Sequence, residues 1–134
     1  MKLEMEHGPT INNPDGLQIE QAIMALPAAE AGFAVLSETE STYFQVTGCQ
    51  DEGFKVEYQA GSTDAHFRAG NEANKIEDVI RAMQLYAKGD AAWKSMFEWQ
   101  PYDLTAEKMG GCRGSAVLVL SVLIASGAAI ASMN

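Results

Sequence analysis

Charge is absent from the end of this chain, and basic residues are scarce throughout. The 134 residues include 18 acidic and 9 basic ones, for a net charge of −9, and residues 114–134 carry no charged side chain. A chain this acidic is not expected to bind nucleic acid broadly, because that binding needs a basic surface. Its own charge would not hold it on anionic lipid either. The composition does not exclude a small basic pocket that binds an anion.

The motifs of common enzymes and metal sites are also missing. The chain has no GxGxxG, Walker, CxxC or HExxH pattern. Cys49 and Cys112 fit no zinc or redox spacing, and a cytoplasmic domain is expected to keep both reduced. His66 follows Asp64 by two positions, but an acid–base pair without a nucleophile, metal set or phosphate loop is a weak catalytic signal. The sequence therefore predicts a protein that is not an enzyme, with no cofactor and no metal.

Residues 114–133 form a 20-residue stretch that is apolar except for four serines. A helix of that length spans about 30 Å, the hydrocarbon thickness of a bilayer. No apolar signal-peptide run appears at the start of the chain, so the stretch is predicted to be a tail anchor. Lys108 and Arg113 precede it, which predicts a cytoplasmic N-terminal domain. A buried core helix of a soluble fold is the alternative.

Small and bulky side chains divide this predicted helix into different faces. One face, predicted to line a pore, consists of Ser115, Val119, Val122, Ser126, Ala129 and Met133. The adjoining face, predicted to contact neighbouring helices, consists of Gly114, Ser121, Ala125, Ala128 and Ser132. Small residues and hydroxyls let helices associate in lipid, so the pattern predicts a homo-oligomer of four or more subunits around an ion pore. A monomeric anchor or a two-helix dimer is the alternative.

The remaining sequence predicts an α+β domain. Helical patterns start at Asn13-Pro14-Asp15 and at Asn74 and continue in residues 91–99. Strand-like runs occupy residues 33–36, 42–47, 54–59 and 65–69. The predicted fold is a four-stranded antiparallel meander with helices on one face, followed by a single C-terminal transmembrane helix. The predicted divisions are a flexible arm (1–13), a cytoplasmic domain (14–100), a juxtamembrane linker (101–113) and the transmembrane helix (114–134).

Polar residues on the predicted strands suggest a binding face. Gln45, His66 and Arg68 are the candidate ligand-binding residues, with Tyr43 and Gln59 nearby on neighbouring strands. Arg68 is the best single candidate for contacting an anion. The ligand could be a small anion, a nucleotide, an oligonucleotide or a protein. A solvated sheet face without a ligand is the alternative.

The runs STYFQVTG, EYQAGSTDAHFRA and VIRAMQLYAKGDAAWKSMFEW resemble the small α+β immunity proteins of bacterial polymorphic toxin systems. That resemblance covers roughly residues 16–100 and implies a non-enzymatic domain that recognises a partner. The layout is also similar to small membrane effectors of anti-phage systems. The sequence thus predicts a tail-anchored protein of the bacterial inner membrane, whose cytoplasmic domain senses a ligand or partner and whose helices form a gated pore. The alternative is a membrane-tethered immunity or antitoxin protein that binds a toxin, with the helix only as an anchor.

Overall fold

The computed structural model describes residues 1–28, 30–71 and 73–102 of the chain. In these ranges a single antiparallel sheet contains seven strands in the spatial order β2-β1-β3-β4-β5-β6-β7. The strands are β1 (Lys2–Met5), β2 (Ile11–Asn12), β3 (Gly32–Thr39), β4 (Thr42–Cys49), β5 (Gly53–Ala60), β6 (His66–Ala69) and β7 (Trp99–Pro101). The predicted four-stranded meander is therefore wrong, because three further strands extend the sheet at its two edges.

The extra strands are short, which explains why the sequence pattern missed them. Residues 1–13 were expected to be a flexible arm, but Leu3 in β1 is fully buried and pairs with Leu36 of β3. On the opposite edge, β7 pairs with β6 through Trp99 and Ala69. Pro101 ends β7, and an edge strand tolerates the missing N–H of proline. Runs of two to four residues carry too little alternation to be recognised from sequence.

Helix α1 (Gly16–Met24) has its N-cap at Asp15, two residues later than the cap expected at Asn13. Asp15 is the N-cap: its carboxylate accepts from the backbone N–H of Gln18 at 2.8 Å, and the Gln18 side chain accepts from the Asp15 N–H at 2.9 Å. This reciprocal pair is a capping box. Asn13 instead has φ 49° and accepts a hydrogen bond from the N-terminal amine at 3.0 Å.

Helix α2 (Ile76–Ala87) also begins after its predicted cap. Asn74 does not cap the helix, because its side-chain amide donates to the backbone oxygens of Phe54 and Asn71. A short 3-10 helix then covers Ala91–Met96, and the helical pattern predicted to reach residue 99 ends there because Trp99 joins the sheet.

The main apolar core lies between one face of the sheet and the helices. Its members come from β1, β3 to β6, α1, α2 and the 3-10 helix, and include Leu3, Ile19, Ile23, Leu36, Phe44, Val56, Val79 and Met83. Trp93 closes one end of this core, with its ring centroid 4.9 Å from Tyr58 and 5.3 Å from Tyr86. Among the described residues, no helix combines the length and apolar character needed to cross a membrane. The predicted transmembrane helix, residues 114–134, lies outside them.

Candidate recognition site

The face of the sheet opposite α1 and α2 carries a group of polar side chains, here called the polar face. Its members are Tyr43, Gln45 and Thr47 of β4, Lys55, Glu57 and Gln59 of β5, and His66 and Arg68 of β6. Side chains two positions apart in a strand share a face. The register then aligns them in rows across the strands: Gln45 is opposite Glu57, which is opposite Arg68, and Tyr43 is opposite Gln59, which is opposite His66.

Glu57 lies at the centre of this face and is paired with two basic side chains. Its Oε2 accepts from Arg68 Nη2 at 2.9 Å, and its Oε1 lies 2.7 Å from His66 Nε2. The residue is only 1% exposed. Burial alone would raise the pKa of Glu57, but the His66 hydrogen bond and the Arg68 charge outweigh burial and hold the pKa below its ordinary value. Glu57 is therefore a carboxylate, and its buried charge is paired, as such charges must be.

Gln59 fixes the hydrogen-bonding state of His66. The Gln59 Nε2 donates to the backbone oxygen of Ser41 at 3.1 Å, so its Oε1 faces Tyr43 and His66. That oxygen accepts from the Tyr43 hydroxyl at 3.3 Å and faces His66 Nδ1 at 3.1 Å. Both ring nitrogens of His66 thus lie within hydrogen-bond distance of side-chain oxygens, Nδ1 of Gln59 and Nε2 of Glu57. Both nitrogens of His66 are therefore engaged by neighbouring side chains.

The acid beside His66 is different from the one expected. Asp64 was predicted to share a strand face with His66, but it lies in an exposed 3-10 helix, Thr63–Ala65, before β6 begins. The partner is Glu57, from the neighbouring strand. The alternation along β5 predicts that Glu57 and Gln59 share a face, but it does not predict that Glu57 lies beside His66. That contact depends on how β5 pairs with β6.

Tyr102 extends the polar face at the outer edge of β6. Its backbone N–H donates to the His66 carbonyl oxygen at 2.9 Å. Its ring lies against Arg68, with 3.8 Å from the guanidinium carbon to the ring centroid, a cation–π geometry. No pattern in the sequence indicates this role, because Tyr102 follows a three-residue strand that is too short to show alternation.

Gln45 and Thr47 are the unusual members of the polar face. Both are 1% exposed. The Oε1 and Nε2 atoms of Gln45 and the Oγ1 of Thr47 have no hydrogen-bond partner. Buried polar atoms are nearly always hydrogen-bonded, and each exception needs a reason. Gln45 lies between Val35 and Glu57 in its row, and Thr47 follows two positions later on the same face of β4.

The three predicted ligand-binding residues, Gln45, His66 and Arg68, therefore lie on one face. Arg68 and His66 of β6 share Glu57 of β5 as a partner, whereas Gln45 lies on β4, opposite Glu57. Thr47, Glu57 and Tyr102 were not among the predicted residues. The predicted pore-lining and helix-contact residues, between 114 and 133, lie outside the described residues. In the described part of the chain, no three His, Cys, Asp or Glu side chains are grouped to hold a metal ion.

No protein-family model, curated protein or solved structure matches this chain. The resemblance to immunity proteins therefore stays a prediction.

Proposed function

We propose that this protein is a non-enzymatic recognition protein that binds a partner on its polar face through Gln45 and Thr47. The observation that carries the proposal is the set of three buried polar atoms without hydrogen bonds on these two residues. Each such atom costs about 1–3 kcal/mol of folding stability. Costs of this kind are expected at functional sites, where the fold is optimised for a bound state.

The neighbouring ionic network supports recognition better than catalysis. The oxygens of Glu57 are engaged by His66 and Arg68, and both ring nitrogens of His66 face acceptors. Groups held in this way are suited to fixing the spacing of β4, β5 and β6. The network would hold Gln45 in one position, and a preorganised surface loses less entropy on binding.

A polypeptide is the partner that fits these residues best. The Gln45 carboxamide needs both a donor and an acceptor, and the Thr47 hydroxyl can do either. A polypeptide backbone supplies an N–H and a C=O at every residue except proline. The resemblance to toxin-binding immunity proteins favours the same class of partner. The net charge of −9 favours a basic protein, since opposite charges accelerate encounter.

The test compares three immobilised full-length proteins: the natural chain, the face variant Gln45→Ala/Thr47→Val, and the control variant Leu17→Gln/Met24→Gln. Leu17 and Met24 are exposed on α1, on the other side of the sheet. When bacterial proteins are passed over the three samples, we expect one of them to bind to the natural chain and to the control variant. The same protein should not bind to the face variant. Titration of that purified protein should then show at least tenfold weaker binding by the face variant. Equal binding to all three proteins would contradict the proposal.

A membrane-acting effector is a second candidate, favoured by the uncharged residues 114–133. Under this proposal the chain forms a homo-oligomeric pore in the bacterial inner membrane, and the recognition domain controls it. Full-length protein and a version ending at Arg113 would be expressed in bacteria with a voltage-sensitive dye. Depolarisation that needs residues 114–134 supports this candidate, and equal potentials in both cultures count against it.

A further inference from the structure

The formal charges on the polar face do not cancel. Its side chains include two basic residues of fixed charge, Lys55 and Arg68, and one acidic residue, Glu57. Two positive charges and one negative charge leave a surplus of one positive charge before His66 is counted, although the whole chain carries −9. A local surplus of this sign attracts an anionic group to that part of an acidic protein.

Lys55 is the cation that can bind such a group. Arg68 is engaged by Glu57, since its Nε and Nη2 donate to the Glu57 Oε2 at 3.3 Å and 2.9 Å. In the described part of the chain, the Lys55 ammonium forms no ion pair and no side-chain hydrogen bond. Lys55 is nevertheless only partly exposed. Withdrawing a charge from water without a counter-charge is costly, and a bound anion would offset that cost.

The strand register places Lys55 beside the two residues with unpaired polar atoms. Thr47 lies directly opposite Lys55, a relation in which Cβ atoms are about 4.5–5.5 Å apart. Gln45 precedes Thr47 by two positions on the same face, so it is a diagonal neighbour of Lys55, within reach of long side chains. We infer that Lys55, Thr47 and Gln45 form a binding site for a carboxylate group of the partner. This inference rests on the proposed function and deepens it.

A carboxylate matches the hydrogen-bonding groups of these three residues. It only accepts hydrogen bonds, at two oxygens with about four lone-pair positions. The Lys55 ammonium, the Thr47 hydroxyl and the Gln45 Nε2 can all donate to it, and hydrogen bonds to a charged acceptor are stronger than neutral ones. A backbone carbonyl would leave the charge of Lys55 uncompensated. A phosphate would bring more than one negative charge to a face that already holds Glu57. The expectation of a reduced thiol at Cys49, two positions after Thr47, is wrong, because Cys49 is engaged in a disulfide.

Phe33 adds an apolar side to this site. It lies opposite Thr47 in the pairing of β3 with β4, and it packs against Val35 and Tyr43. Phe33 and Lys55 are both partly exposed, so the row that contains Thr47 reaches solvent on both sides. The site therefore combines a cation with a neighbouring apolar ring. That combination fits a carboxylate carried on an aliphatic carbon, which a polypeptide supplies either at an acidic side chain or at its C-terminus.

The experiment titrates small probes into the full-length protein and follows the NMR signals of the Lys55 Cε–H, the Thr47 methyl and the Gln45 side-chain amide. Acetate represents an acidic side chain, N-acetylalanine represents a chain terminus, and N-acetylalaninamide is the uncharged control. We expect saturable shifts of the three signals with a carboxylate, with a Kd on the order of 10 mM or tighter, and none with the amide. The tighter-binding carboxylate identifies the source. No saturable shift with either carboxylate, or tighter binding of inorganic phosphate, would overturn the inference.

Substitutions of Lys55 test whether its charge holds the carboxylate. Lys55→Met and Lys55→Gln should weaken binding about tenfold or more, whereas Lys55→Arg keeps the charge and should keep most of the affinity. The matched control is Lys88→Met, which removes an exposed lysine after α2 on the helical side and should bind like the natural chain. Urea unfolding checks that each variant is folded. Unchanged affinity in a folded neutral variant would overturn the inference.

None of these titrations uses a partner protein. The proposed recognition fails when the natural chain and the face variant Gln45→Ala/Thr47→Val retain the same proteins equally. The carboxylate site fails when the probes do not bind or do not depend on Lys55, so the two failures are distinguishable.

Discussion

Glu57 Oε1 lies 2.7 Å from His66 Nε2, and both side chains are 1% exposed. The two residues are nine positions apart in sequence and meet because β5 and β6 pair in antiparallel register. Arg68 binds the other carboxylate oxygen, so one buried negative charge is shared between two basic groups. Such a network specifies strand register, because a slip of one residue would move every member to the other face.

Glu57→Gln is expected to destabilise the fold by about 3–5 kcal/mol at pH 7, because it removes the buried carboxylate that pairs with both Arg68 and His66. The pKa of Glu57 is held below its ordinary value in the folded state. The stability it contributes is therefore present above the unfolded-state pKa and is lost as the pH falls through the folded-state pKa. Denaturant titrations at a series of acidic pH values should show this fall in the free energy of unfolding for the natural chain. The Glu57→Gln variant should lack the contribution of Glu57 to that fall.

The matched control for Glu57 is Glu52→Gln, which removes an exposed carboxylate from the turn between β4 and β5. Its free energy of unfolding should stay within about 0.5 kcal/mol of the natural value. Identical acid slopes for the natural chain and Glu57→Gln would contradict the assignment of Glu57 as a paired carboxylate.

Both ring nitrogens of His66 are expected to be hydrogen-bonded in the folded protein, Nε2 with Glu57 and Nδ1 with Gln59. Nitrogen-15 NMR of the imidazole should show hydrogen bonding at both nitrogens. His7, whose side chain is exposed, is the internal reference. A His66 ring nitrogen without a hydrogen bond would contradict the corresponding contact.

Thr47→Val should stabilise the protein while weakening partner binding. The hydroxyl of Thr47 is buried without a partner, and valine has nearly the same shape. Removing the unsatisfied group recovers about 1–3 kcal/mol. Thermal and denaturant unfolding measure this gain, and Thr10→Val, at an exposed position, is the control with little expected change. Destabilisation by Thr47→Val would indicate that the hydroxyl has a partner in solution.

The sequence predicted the polar face better than the extent of the sheet. Strict alternation in β5 placed Glu57 and Gln59 on one side, and this pattern depends only on local backbone geometry. The meeting of Glu57 with His66 depends on strand register, which a single sequence does not encode locally. The edge strands were missed for another reason. Leu3 is buried because β1 pairs with β3, and a four-residue run is too short to predict that pairing.

Gly48→Ala should destabilise the β4–β5 hairpin strongly. Gly48 has φ +136°, a region that residues with a Cβ rarely adopt, and an added Cβ would lie 2.4 Å from the backbone oxygen of Gly53. The strained backbone alone costs about 1–3 kcal/mol, and the overlap with a backbone atom adds to it. Gly61→Ala separates the two effects, because Gly61 has φ +91° and an added Cβ would meet nothing within 4 Å. Urea unfolding should show the larger loss for Gly48→Ala, and equal losses would mean that the β4–β5 pairing at Gly48 and Gly53 relaxes in solution.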